Sequence, residues 1–274
     1  MPRPDDPNDP NDPNGQNRQP RPARPLRTLT VTRTERLSPS MVRVVLTGPD
    51  LDTLPDLPFT DHYVKLRFGE VTRTYTIRSL DMEARELAID FVIHGDEGLA
   101  GPWAAAARPG DTVSFAGPGG GWAPSAEADV HLLVGDESAL PAVAAALERL
   151  QDTRDDARVE VYLEVADASE EQELPATSRT RVHWIHRGPG DGYGEALTRA
   201  VIAAELPEGR LEAFVHGNAD MIKPLRRHLF LERGVPRDQV SISGYWRTGM
   251  NEDGWQSSKR EFNARMEDEQ DARV

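Results

Sequence analysis

The hydrophobic pattern of this chain changes period once, across the Gly/Pro-rich link from Gly117 to Pro124. That change limits the fold to two differently built halves. Before the link, Leu29–Thr34, Met41–Leu46, His62–Phe68, Val71–Arg78, Glu86–His94 and Thr112–Ala116 are short β-branched or alternating runs. Gly48-Pro49-Asp50, Phe68-Gly69-Glu70 and Pro109-Gly110-Asp111 separate them as turns. Strands of this length and spacing predict a small antiparallel barrel, interrupted by one alanine-rich helix at Ala100–Ala107. After the link, strand-like runs at Val130–Val134, Arg158–Ala166, Arg181–His186, Leu211–His216 and Val240–Tyr245 alternate with helical ones. The helices fall at Leu140–Leu150, in a short acidic segment, at Gly194–Glu205 and at Ala219–Arg233. Such alternation predicts parallel strands covered by helices. The expected class is α+β with two domains, an antiparallel barrel over 26–124 and an α/β domain over 125–250. A polar, helical extension follows over 251–274.

Composition narrows the chemistry. Residues 1–25 form a Pro/Asn/Asp-rich repeat with almost nothing apolar, expected to be a disordered tail. Its charges are not followed by the apolar stretch of a signal peptide, and no run approaches the ~18 apolar residues of a membrane span. A soluble, cytoplasmic monomer is expected. Cysteine is absent, which excludes disulfides, zinc–thiolate sites and thiolate-held iron–sulfur clusters on this chain. No resident metal is assigned, so any electron traffic needs an organic cofactor. The net charge of −14 argues against nucleic acid as a partner.

The stretch Arg73-Thr74-Tyr75-Thr76-Ile77-Arg78 is the first with chemical content. A flavin needs a planar partner for its ring, a hydrogen-bond partner near N5 and a cation for its pyrophosphate. Tyr75 can stack, Thr76 offers a hydroxyl, and Arg73 offers a two-pronged phosphate fork. Strand alternation places Arg73, Tyr75 and Ile77 on one face, Thr76 and Arg78 on the other. Asp90-Phe91-Val92-Ile93-His94-Gly95 then leads into Gly98-Leu99-Ala100-Gly101-Pro102-Trp103-Ala104, a glycine-rich loop opening a helix whose amides suit phosphate. His94 alone also reads as an ordinary strand-end histidine.

In their order, R-T-Y-T-I-R, D-F-V-I-H-G, the G-P-W-A turn, A-G-P-G-G, L-L-V-G-D-E-S-A-L-P-A, E-V-A-D and S-I-S-G-Y-W-R resemble the siderophore-interacting proteins. The likeness covers about Leu26 to Trp255. That family is similar to ferredoxin–NADP reductases, with an FAD-binding barrel followed by an NAD(P)-binding-like domain. The resemblance implies that Arg73, Tyr75 and Thr76 hold the flavin ring and pyrophosphate. It also implies that Ile77, Arg78, Asp90, Val92, His94 and the loop Gly98, Leu99, Ala100, Gly101 and Trp103 complete the FAD site. Asp136 and Trp246 are assigned to the same cofactor site, and Thr76 is the candidate for tuning the flavin through N5.

In the second domain, Gly135-Asp136-Glu137-Ser138 occupies the turn where dinucleotide folds carry G-x-G-x-x-G. Two carboxylates there oppose a pyrophosphate. Glu164, with Glu170, Glu171 and Glu173 beyond, ends the second strand and suits a ribose hydroxyl better than a 2′-phosphate. The same residues also read as a solvated helix start. The donor is therefore NADH or NADPH, leaning to NADH, with ferredoxin open. A ferric siderophore, the substrate the resemblance implies, is often anionic. The family's basic substrate residues fall on Lys65 and Arg247; Lys65 also reads as solvent-facing. Tyr245 and Trp246 either cover the flavin or pack the last strand. The implied activity is ferric-siderophore reduction releasing Fe(II). The alternatives are a flavin oxidoreductase with another acceptor and a non-enzymatic siderophore-binding protein.

Overall fold

The computed structural model describes residues 25–93 and 98–271, with side chains as far as Met266. The expected tail, apart from Pro25, and His94 lie outside these residues. Six strands close a barrel in the order β1-β2-β5-β4-β3-β6. They are β1 (Leu26–Ser38), β2 (Met41–Thr47), β3 (Tyr63–Phe68), β4 (Val71–Asp81), β5 (Glu86–Val92) and β6 (Thr112–Gly119). All six neighbouring pairs are antiparallel. Helix α1 (Ala100–Ala106) plugs one end, sinking Ala100 and Ala104 among Val44, Leu66, Ile89 and Phe115. Alternation decides which side chains face in: Val64 and Leu66 are buried, whereas Lys65 and Arg67 face solvent.

The second half is a parallel sheet in the order β11-β10-β7-β8-β9. Its strands are β7 (Val130–Asp136), β8 (Arg158–Val165), β9 (Arg179–His186), β10 (Leu211–Asn218) and β11 (Val240–Trp246). β7 and β10, central in the sheet, are buried almost throughout, as a sheet covered on both faces requires. Helices α3 (Glu195–Ala203) and α4 (Ala219–Arg227) cover one face, and α2 (Leu140–Thr153) the other. The helix expected through Arg233 instead widens at His228–Glu232 into a π-helical turn. Pro224 inside α4 has already removed one rung of the helical ladder.

Two further features position the site. First, α2 lies between sheet and barrel. Its apolar face shares a cluster with Met41 of β2, Trp122 of the link and Phe214 of β10. Arg78 of β4 grips Glu148 of α2 through both carboxylate oxygens, at 2.7 and 2.6 Å. Glu170, buried, accepts hydrogen bonds from the Ser38 and Ser40 hydroxyls at the β1–β2 turn. Second, the extension after Arg247 forms helix α5 (Glu252–Asp271) with one buried stripe. Trp255 and Met266 are buried, and Phe262 packs against the α3/α4 cluster beside Met266. The stripe lays α5 along β11 and brings its first turn onto β4.

Candidate functional site

Strand β4 carries the site because one of its edges is open. It pairs with β3 from Val71 to Thr76, but with β5 only from Ile77 onward. A register shift between Ile77 and Ser79 splays the two strands and breaks the expected alternation at Arg78. Among the described residues, 71–76 thus face no strand on that side. The edge is met by the first turn of α5. The Thr74 amide donates to the Glu252 carboxylate at 3.0 and 3.2 Å, and the Thr74 hydroxyl donates at 2.7 Å. Arg73 Nε stands 4.0 Å from Glu252, and Arg73 Nη1 lies 3.4 Å from Asp253. Burial outweighs these partners and raises the Glu252 pKa above the usual carboxylate range.

Tyr75 stands beside this anion-holding edge, its ring 4.4 Å from that of Phe91. Phe91 in turn meets Trp103, which closes on Phe68. Burial pushes the Tyr75 phenol well above its ordinary pKa, so it stays neutral. Thr76 is buried on the opposite face, across from Tyr63 of β3. The Tyr63 ring lies so close to Gly119 that a side chain there would meet it at 2.4 Å. Ile77 belongs to the barrel core.

The structure does not gather all the assigned residues at this edge. Arg78 is committed to Glu148 at the domain junction. Asp90 is buried in a two-pronged pair with Arg43 of β2, at 2.7 and 2.9 Å. Val92 ends β5 and packs toward the α2 cluster. Gly98, in the left-handed region at φ 87°, and Leu99 are exposed, while Ala100 is buried. Gly101 and Trp103 lie in α1, whose aromatic Trp103 reaches the Tyr75 cluster through Phe91.

The carboxyl ends of the parallel strands are filled by the chain itself. Asp136, 1 % exposed, accepts from Ser138 N, Ser138 Oγ, Asn218 N and Trp246 Nε1. Burial and neighbouring Glu137 raise its pKa to about 6. Gly217, at φ 137°, is needed because a side chain there would collide with this carboxylate. Trp246 also meets Tyr193 edge-on at 4.9 Å. Glu164, wholly buried, accepts from the amides of Gly194 and Leu197 and so caps α3. Arg187 pairs with Glu137 and Glu164 and lies 4.4 Å over the Tyr193 ring. This changes the premise of the NADH preference: Glu164 is not free for a ribose, and an arginine does stand at this strand end. Tyr245 faces the barrel side, near Asp61 and Tyr63, with its phenol held neutral by burial.

Of the two assigned cations, Lys65 is exposed on β3 directly across from Thr74, and its side chain makes no ion pair or hydrogen bond among the described residues. Arg247 follows β11, with Nε 3.0 Å from Asp220 and its guanidinium over Phe262. Lys65 thus lies near the first turn of α5, whereas Arg247 lies farther along that helix, over Phe262. Sequence reasoning passed over Glu252 and Asp253. Their signal was a pair of acids opening a helical segment, although their partners on β4 are nearly 180 residues away.

These residues fit an FAD. The donor set of Arg73 and Thr74 already holds an oxyanion, the carboxylate of Glu252, next to a planar phenol on an unpaired strand edge. No helix among the described residues is long and apolar enough to cross a membrane.

Known proteins share the two-domain sequence and fold. Residues 30–71 and 69–122 match the siderophore-interacting FAD-binding domain, and residues 128–249 match the siderophore-interacting protein family. The ferric vibriobactin reductase ViuB of Vibrio cholerae is 30 % identical over 255 residues, covering 84 % of this chain and 93 % of its own. An NADPH-dependent ferric-chelate reductase of Escherichia coli is 29 % identical over 240 residues, covering 80 % and 91 %. The crystal structure of a siderophore utilization protein from T. fusca superposes with a TM-score of 0.74 at 39 % identity, covering 83 % and 95 %. The barrel and the parallel sheet are thus those of a known fold, and the chain belongs to the siderophore-interacting protein family.

Proposed function

We propose that this chain is an FAD-dependent ferric-siderophore reductase that releases iron as Fe(II) in the cytoplasm. The observation that carries the reading is the oxyanion-holding edge of β4 beside Tyr75, within a matched FAD-binding domain. Bound FAD would supply a carrier that accepts an electron pair and yields electrons one at a time. Arg73 and Thr74 would hold its phosphates, Tyr75 would lie against its ring, and the Thr76 hydroxyl would meet its N5 edge. Gly98, Leu99, Ala100, Gly101 and Trp103 would border the remainder. Arg78, Asp90 and Asp136 would support the site by fixing β4 to α2, β5 to β2 and β7 to β11.

The substrate would sit beside α5, with Lys65 near its first turn and Arg247 farther along, over Phe262. There, local cations offset a chain of net charge −14 for an anionic chelate. Chemistry at the iron needs no acid–base pair. Fe(II) is a weaker partner than Fe(III) for hard oxygen ligands, so reduction loosens the chelate. The E. coli relative's name favours a nicotinamide donor. The buried Asp136 and the Glu137–Arg187–Glu164 set at the strand ends favour a donor that does not press a pyrophosphate there, such as ferredoxin. Anaerobic mixing of the yellow protein with NADH, NADPH or reduced ferredoxin decides the donor by which one bleaches the flavin. A colourless protein that neither binds FAD nor reduces ferric siderophore would refute the reading.

A further inference from the structure

We propose that Glu252 and Asp253 form an internal stand-in for the flavin's phosphates, which FAD must displace from Arg73 and Thr74 as it loads. This rests on the flavin reading above and adds to it that the first turn of α5 regulates cofactor affinity.

The contrast between arginines argues for displacement. Arg43 with Asp90 and Arg78 with Glu148 are closed two-pronged pairs, all four contacts at 2.6–2.9 Å. Arg73 is held loosely by comparison, 4.0 Å from one carboxylate and 3.4 Å from another, with Nη1 also donating to the Thr72 carbonyl. A guanidinium in that state keeps most of its fork available to a better-fitting oxyanion. The Glu252 carboxylate nevertheless occupies the Thr74 amide and hydroxyl, the two donors an incoming phosphate would use. Asp253 is two-thirds exposed, so its contact with Arg73 is replaced by water at little cost. The turn before α5 contains Gly249 at φ 77°, and Trp255 anchors the helix one turn later. Only the first turn therefore needs to move.

Charge sets the direction. The groups facing Glu252 are Arg73 and Tyr75 on β4 and Asp253 on α5, with Lys65 across from Thr74 on β3. Because burial raises the Glu252 pKa, mild acid neutralises it before an ordinary carboxylate and weakens its hold on the edge.

The test is the FAD dissociation constant of the full chain, read by flavin fluorescence at about pH 8 and about pH 5.5. Glu252→Gln keeps an acceptor for Thr74 but removes the charge. It is expected to tighten FAD roughly three- to tenfold at the higher pH, and Asp253→Asn by less. Wild type should bind FAD more tightly at the lower pH, and Glu252→Gln should lose that dependence. Unchanged or weaker FAD binding in both variants would overturn the proposal. Failure of wild type to bind FAD at any pH would instead refute the flavin reading.

Discussion

Glu164 tests whether the acidic strand end serves a nucleotide or the fold. Its carboxylate is wholly buried and accepts from Gly194 N at 2.8 Å, Leu197 N at 3.2 Å and Arg187 Nη1 at 3.5 Å. Glu164→Ala removes the acceptor and strands two amide donors at the start of α3. Each buried donor left unsatisfied costs about 1–3 kcal/mol. Water entering the vacated space returns part of this, leaving a net loss of about 2–5 kcal/mol. For a protein of this size that corresponds to roughly 5–15 °C in Tm. Glu164→Gln keeps one carbonyl acceptor and should lose less. The assay pairs thermal unfolding of both variants with flavin reduction rates for NADH and NADPH. The predicted result is a large drop in Tm with no selective change in NADH use. A Glu164→Ala protein that melts like wild type but has lost NADH selectively would instead make Glu164 a nucleotide ligand.

Other expectations follow from the same geometry. Arg73→Ala should weaken FAD by about 1.5–3 kcal/mol, roughly ten- to 150-fold, read as flavin lost on dialysis; unchanged retention would exclude Arg73 from the site. Glu148→Ala should destabilise by about 1–3 kcal/mol because it leaves the Arg78 guanidinium unpaired at the junction. Adding Arg78→Met should restore much of that in chemical unfolding. His216 is held neutral by burial and by nearby Lys259, with its pKa lowered to about 3. Below pH ~6.5 the unfolded chain takes up a proton that the folded chain refuses. This group alone then removes about 1.4 kcal/mol per pH unit, and unfolding of His216→Phe should lack that slope. Lys65→Ala and Arg247→Ala should weaken anionic ferric siderophores more than neutral ones, with less loss at high salt. Binding equal to wild type across charged and neutral siderophores would remove both residues from the substrate site.

The barrel and the parallel sheet were legible because their signals are local. Alternation in Val64–Leu66 and Glu86–Val92, and the apolar runs at Val130–Val134 and Leu211–His216, need only near neighbours to read. What escaped depends on partners far away in the chain. The closed pairs of Arg78 and Asp90 could not be inferred from β4 or β5 alone, since α2 and β2 supply the other halves. Glu164 looked like a ligand because its position matches one, but its acceptor capacity goes to helix α3. The docking of α5 was readable in part. Trp255, Lys259, Phe262 and Met266 repeat at helical spacing, but in a segment otherwise so polar that the stripe is diluted. Carrying a lysine on that stripe masks it further; burial lowers the Lys259 pKa.

In the proposed reaction, electrons pass from FAD on this chain to siderophore-bound iron. The measurement is anaerobic stopped-flow mixing of the reduced, FAD-loaded protein with a ferric siderophore in the presence of a ferrous chelator. The oxidised flavin spectrum should return in step with the colour of the trapped Fe(II), and more slowly when Lys65 or Arg247 is neutralised. Reduced flavin that persists beside an intact ferric siderophore would contradict this reaction.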